Sequence, residues 1–274
     1  MSIKKRIDFK VIIEVNNANP NGNPVDNRPN HFSDFTGFIT PMAIKHKIRM
    51  VADRMGAPVL LVNLPDNSGM RAIHNKLSNK ITKEVKTDDY IKAVCNEYFD
   101  VRAFGAAIPV KKEMGDSICI TGPVTINQIC SVDQIEIVSA GITRSYNMKD
   151  EEGIESSRYG FDTYFVRYGL YIMNGSISAS ISEKTGFNED DAKMLKATLL
   201  NMFDEDVSNS RPAGSINVRK LIWWEHSNKY GNYKVKDVFD SVMVTKVQGV
   251  NVPMKYSDYN VEVKELEGLS MEIY

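Results

Sequence analysis

The chain has 274 residues, enough for one large domain or a domain with sizeable insertions. Its 42% hydrophobic and 25% charged residues match a globular protein and argue against a disordered or fibrous one. A formal net charge of −1 excludes a uniformly basic surface but permits a local basic groove, because cations exceed acids over residues 1–55 while the tail after Lys255 is acidic.

In chain order, Ile7, Phe9, Val11, Ile13 and Val15 alternate with Asp8, Lys10 and Glu14, which predicts a half-buried strand. The loop Asn16-Asn17-Ala18-Asn19-Pro20-Asn21-Gly22-Asn23-Pro24 follows. Pro20 and Pro24 fix their own φ and bias the residues before them away from helix. Gly22 permits positive φ, and the asparagines tolerate left-handed geometry, so the loop is shaped. Thr40 is then an N-cap with Pro41 at the first helical position. In the helix that starts there, Ile44, Ile48, Val51 and Met55 form the core stripe. Lys45 and Arg49 lie on one flank, Lys47 and Arg54 on the other. An Asn-rich turn beside four cations suits a phosphate backbone; a solvated helix with ordinary surface lysines is the alternative.

Residues 57–67 read as a Pro-punctuated apolar turn or short strand, and 69–82 as weakly helical. Thr87 caps an amphipathic helix in which Ile91, Val94, Cys95, Tyr98 and Phe99 share a face. Ser117 to Ile129 is predicted as strand broken at Gly122-Pro123, and Gln134 to Ile142 as another. A polar excursion from Thr143 to Thr163 separates these from a long strand, Tyr164 to Ile181. With an Arg and an aromatic on each arm, it reads as a protruding β-hairpin, or else as a polar loop without a ligand. Asn188 starts a second helix, with Asp191 as its capping-box partner, Phe187 stapling onto Ala192, and Ala192, Leu195, Leu199 and Met202 buried. Strand Val218 to His226 carries Trp223 and Trp224, one per face. The segments 235–247 and 261–266 read as edge strands. Strand, helix, strands, helix, strand predicts an α+β fold: a ferredoxin-like or RRM-like split βαβ core in a single domain, 1–274, with a helical insertion at 56–115 and a hairpin at 143–163. No RNP-type aromatic string is present, so RNA would be held by loops and insertions and not by stacking on the sheet.

Asn19-Pro20-Asn21-Gly22-Asn23-Pro24, Lys45-His46-Lys47-Ile48-Arg49 and Asp100-Val101-Arg102-Ala103-Phe104-Gly105-Ala106 together resemble the multi-copy backbone subunit of type I CRISPR Cascade complexes, closest to the I-C and I-B versions. Asn23 stands where that family usually has Asp, His46 where it has a second cation, and Thr121 where it has an Arg before Gly-Pro. The resemblance implies a non-catalytic protein that polymerises with copies of itself along CRISPR RNA and presents the guide for pairing with target DNA beside other Cascade subunits. On the matching positions it implies RNA contacts at Asn21, Asn23, Lys45, His46, Lys47 and Arg49. Arg102 is a further RNA candidate, the alternative being a pair with Asp100. The hairpin corresponds to a thumb that crosses the guide, with Arg144 and Arg158 against phosphate and Met148 or Tyr146 as an apolar wedge. Phe161-Asp162-Thr163 replaces the family's basic pair on the return arm.

Two rival functions stay open. One is a metal-dependent ribonuclease like the type III relatives, for which His31, Asp26 and Asp34 form the one polar cluster. The other is a self-assembling structural protein without nucleic acid. No nucleotide-binding, hydrolase or metalloprotease motif occurs, the four histidines lack metal-ligand spacing, and no cofactor is implied. Cys95, Cys119 and Cys130 are odd in number and fit reduced thiols. No run approaches a membrane span, and the N-terminus lacks a signal-peptide core, so a cytoplasmic protein is expected.

Overall fold

The computed structural model describes residues 1–61, 87–109, 117–143 and 159–274. Its central strand, β1 (Ile7–Ala18), pairs antiparallel with β8 (Tyr159–Ile177) on one side and β9 (Ile216–Glu225) on the other. Beyond β9 lies β12 (Ser270–Ile273); beyond β8 lie β6 (Ile129–Gln134) and β2 (Thr36–Ile39). Strands β5 (Val124–Ile126) and β7 (Ile137–Thr143) also pair with β8. The result is a mixed α+β fold built on one large antiparallel sheet. Register explains one glycine: Phe9 lies opposite both Gly175 and Trp223, its ring stacks on Trp223 at 5.6 Å, and a Cβ on residue 175 would strike that ring.

One sheet face is covered by helices α1 (Pro41–Arg54) and α5 (Glu189–Leu200). Ile44, Ile48 and Ala52 of α1 and Leu195 and Leu199 of α5 join Phe9, Val11, Ile13 and Trp223 in the main core. At about 1.5–3 kcal/mol per large apolar side chain, this burial is the main force closing the fold. Both helices start as their sequences predict. Thr40 caps α1, its side chain accepting from Ala43 N, with Pro41 following. Asn188 and Asp191 form the predicted capping box of α5, and Phe187 and Ala192 are both buried in the same core. Met55, placed by periodicity on the core stripe, is exposed, because α1 ends at Arg54.

The other face of β1 differs from the half-buried strand expected. Asp8, Lys10 and Glu14 are 0, 6 and 4% exposed. They are covered because residues read as edge strands form a second layer: α6 (Val235–Asp240), β10 (Val242–Lys246) and β11 (Tyr259–Val263). Each charge is partnered, as burial demands. Lys10 Nζ donates to the carbonyls of Phe239 (2.6 Å) and Val242 (3.2 Å). Burial lowers its pKa from 10.5 to about 8, and Asp240 only partly opposes that fall. Glu14 accepts from Tyr168 Oη and Arg219 Nε, and Asp8 lies 2.8 Å from His226 Nε2 and 2.9 Å from Arg6 Nη2. Trp223 and Trp224 do point to opposite faces, and both are buried within the chain.

A smaller core sits to the side. Helix α2 (Thr87–Glu97) ends before Tyr98, which leads into the short helix α3 (Phe99–Phe104). Tyr90, Val94, Cys95, Tyr98 and Val101 pack with Leu60, Ile108 and Ile118, the last two from a two-stranded ribbon, β3 (Gly105–Pro109) with β4 (Ser117–Thr121). Phe99 does not share the α2 face as expected; the break at Tyr98 turns it into the main core. The chain breaks at Gly122-Pro123 as predicted, but the long strand β8 stops at Ile177. Ser178 there caps helix α4 (Ala179–Thr185). Among the described residues, no helix is long and apolar enough to cross a membrane.

Candidate nucleic-acid interface

The Asn-rich loop is held by its own side chains. Asn23 Oδ1 accepts from Val25 N, Asn23 N donates to Arg28 O and Asn19 Nδ2 donates to Asn27 O, each within 2.9 Å. Asn21 reaches further: its Oδ1 accepts from the backbone N–H of Thr40 at 2.9 Å, and its carbonyl accepts from Asn30. The loop is thereby tied to the N-cap of α1. Positive φ falls on Asn17, Asn27 and Phe35 and not on Gly22, whose missing Cβ instead leaves room for the Asn19 amide. Asn21 and Asn23 thus shape the turn through their Oδ1 and backbone atoms.

The cations of α1 divide by neighbour. Lys45 Nζ and the Arg49 guanidinium each lie 5.3 Å from the ring centre of Phe104. Lys47 is a correction: periodicity placed it on a solvated flank, but it is 7% exposed and ion-paired with Asp206 beside the Phe203 ring. Asp206 also takes Arg211, and Arg54 pairs with Glu205, so this flank is stitched to the 203–211 segment. Arg49 is largely covered as well, its side chain 12% exposed and its Nε donating to Asp100 at 3.0 Å. Lys45 and the exposed His46 remain nearer to solvent. Partial desolvation, then Arg49, lowers the Lys45 pKa. Partial desolvation, then Lys47 and Arg49, pushes His46 below 6.5, so near neutral pH it offers hydrogen bonds and a ring, not a charge.

The Asp100–Ala106 stretch acts as a hub. Asp100 is fully buried and accepts from Leu60 N (2.8 Å), Leu61 N (3.1 Å) and Arg49. Arg102 pairs neither with Asp100 nor with open solvent. Its Nε and Nη2 grip Asp191 at 3.0 and 2.8 Å, and Nη1 donates to the carbonyls of Cys95 and Asn96. That geometry makes Arg102 a rivet between α3 and α5, with little left for RNA. Gly105 has φ +73°, and a Cβ there would run into the Ile120 carbonyl.

Across the loop from α1 lie the arms of a hairpin. Strands β7 and β8 pair from Ile137↔Val166 out to Thr143↔Tyr159. Arg144, Tyr146, Met148 and Arg158 lie outside the described residues. Near the arms lie Arg28 and Phe35, which the sequence alone does not single out, and His31, which it offers only as part of an acid-base or metal cluster. Arg28 lies 4.8 Å over the Tyr164 ring, and His31 stacks on Phe35 at 5.3 Å with 7° between planes. With Gln134 and Ile137 they line a cleft of about 650 Å³. The signal for them was the run Asn30-His31-Phe32-Ser33-Asp34-Phe35, in which Phe32 and Phe35 remain 45 and 54% exposed. Asp26 and Asp34 each accept a backbone N–H two residues on, from Arg28 and Thr36. Among the described residues no group of three His, Cys, Asp or Glu side chains is placed to hold a metal.

One end of the loop therefore holds α1 and the other touches the hairpin. Its exposed aromatic faces are of the kind on which single-stranded bases stack. No curated protein matches the chain. Its fold is similar to that of a chain in a structure described as "CRISPR RNA-guided surveillance complex, pre-nicking", at 12% identity and a TM-score of 0.51, covering 80% of this chain and 78% of that one. A second, a "CRISPR RNA-guided surveillance complex", aligns at 12% identity and a TM-score of 0.48, covering 90% and 78%. The sequence matches the family described as CRISPR-associated protein Cas7 over residues 5–264, and the chain belongs to that family.

Proposed function

We propose that the protein is a non-catalytic, RNA-binding backbone subunit of a type I surveillance complex, of the I-C or I-B kind, working in the cytoplasm. Copies polymerise along CRISPR RNA, hold its sugar-phosphate, and leave its bases free to pair with target DNA, alongside other subunits of the complex. The family match over residues 5–264 carries this reading. Geometry supports it: the shaped loop joins α1 to the hairpin through Asn21–Thr40 and Arg28–Tyr164. The strand order β9–β1–β8–β6, with α1 and α5 on one face, supports reading the core as a split βαβ, ferredoxin-like palm. On this reading 56–115 is a finger-like insertion and 143–163 the thumb. RNA contacts come from Lys45, His46, Arg28, Arg144, Met148 and Arg158, with Asn21 and Asn23 shaping the turn. The His31–Phe35 stack and Tyr164 supply faces for bases, worth about 1–3 kcal/mol each.

The test is purification followed by absorbance at the nucleic-acid and protein maxima. A filament grown on RNA co-purifies with it, and a protein-only ratio under low salt removes the reading in favour of a structural assembly. Incubating the assembled protein with complementary RNA and Mg²⁺ gives no fragments if the subunit only binds. Regularly spaced fragments lost in Asp26→Ala or Asp34→Ala establish the ribonuclease instead.

A further inference from the structure

Lys45 and Arg49 stand one turn apart on α1, where like charges repel. A free lysine there also carries about 2 kcal/mol of rotamer entropy that ordering must overcome. Both side chains nevertheless share one partner, the Phe104 ring, at 5.3 Å each. Arg49 is further pinned by Asp100, itself locked by the backbone N–H groups of Leu60 and Leu61. Helix α3, which carries Asp100 and Phe104, is fastened in turn by the four hydrogen bonds of Arg102.

We propose that Phe104 and Asp100 are positioning residues that hold Arg49 as a fixed, covered cation and aim the Lys45 ammonium at a phosphate of the bound strand. This deepens the RNA-binding reading above and rests on it. Arg49, its charge balanced by Asp100, packs on the ring without touching RNA, and the ring removes rotamers from Lys45 before RNA arrives. The lowered Lys45 pKa agrees with an ammonium kept partly out of water beside a second cation. A phosphate restores what that site withholds.

The experiment measures binding of a single-stranded RNA across a salt series for the wild type, Lys45→Ala, Phe104→Leu and their double variant, each checked by thermal unfolding. Phe104→Met replaces the leucine variant if that one unfolds. Lys45→Ala weakens binding and reduces the slope of log K against log salt by about 0.7, one single-strand phosphate contact. Phe104→Leu weakens binding about 2–5-fold, the fold-change for one exposed cation–π contact, and Phe104→Tyr restores it. The double variant binds no more weakly than Lys45→Ala alone. Additive losses, or wild-type binding by Phe104→Leu beside a weakened Lys45→Ala, overturn the positioning role and leave the RNA surface standing. Wild-type affinity and slope in Lys45→Ala overturn both, because this face of α1 then carries no RNA.

Discussion

Arg49→Ala separates the structural and the RNA-facing cations of α1. In the native fold the Asp100 carboxylate has no exposed surface and is served by two backbone N–H groups and Arg49 Nε. Alanine removes the only counter-charge among these three donors and strands the carboxylate. Losing one partner of a buried pair costs about 3–5 kcal/mol. The surviving N–H bonds place the expected loss near the lower end, about 3 kcal/mol. At about 2–4 °C per kcal/mol for a chain of this size class, Tm falls by about 6–12 °C. Thermal or urea unfolding of RNA-free protein measures it. Asp100→Asn in the Arg49→Ala background removes the stranded charge and recovers most of the loss. A Tm within about 2 °C of wild type for Arg49→Ala would show that Asp100 is solvated in a way this packing forbids. Additive losses in the double variant would refute the pairing argument itself.

Lys10→Met tests the buried lysine under the C-terminal layer. The folded-state pKa, about 8, lies below the unfolded value near 10.5, so between those limits the unfolded chain binds more protons and stability rises with pH. The difference in unfolding free energy between wild type and Lys10→Met should therefore grow in the wild type's favour from pH 8 to 10.5, and a pH-independent difference would refute it. Gly105→Ala should leave little folded protein, because φ +73° and the nearby Ile120 carbonyl both reject a Cβ; circular dichroism and solubility show it, and normal yield and Tm would contradict that crowding. Asn188→Ala should cost about 1 kcal/mol by deleting the capping box of α5, read as a Tm drop of a few degrees; an unchanged Tm would mean the cap is replaced by water.

What could be read from sequence was local. Thr40-Pro41, the Asn188–Asp191 box and the Leu195–Leu199 stripe are fixed by neighbours within one or two turns, and each appears as expected. The break at Gly122-Pro123 is equally local. The misreadings concern partners far along the chain. Lys47 looks solvated until Asp206 arrives from 159 residues away. Asp8, Lys10 and Glu14 look like an open face until α6, β10 and β11 cover it. Arg102 has Asp100 two residues away and chooses Asp191, 89 residues on, because α3 packs by the start of α5. The loop's shape was legible from its prolines and asparagines, but its grip on the hairpin, Arg28 over Tyr164, was not, since nothing in spacing links residues 136 apart.

The second layer over β1 has a consequence for synthesis. Strand β1 carries Asp8, Lys10 and Glu14 on a face whose covering residues, 235–263, are translated more than 200 residues later. Until then those charges stay hydrated and keep an otherwise apolar nascent segment from sticking to others. The polar row thus guards the chain during translation and becomes interior wiring only when the β10–β11 pair docks.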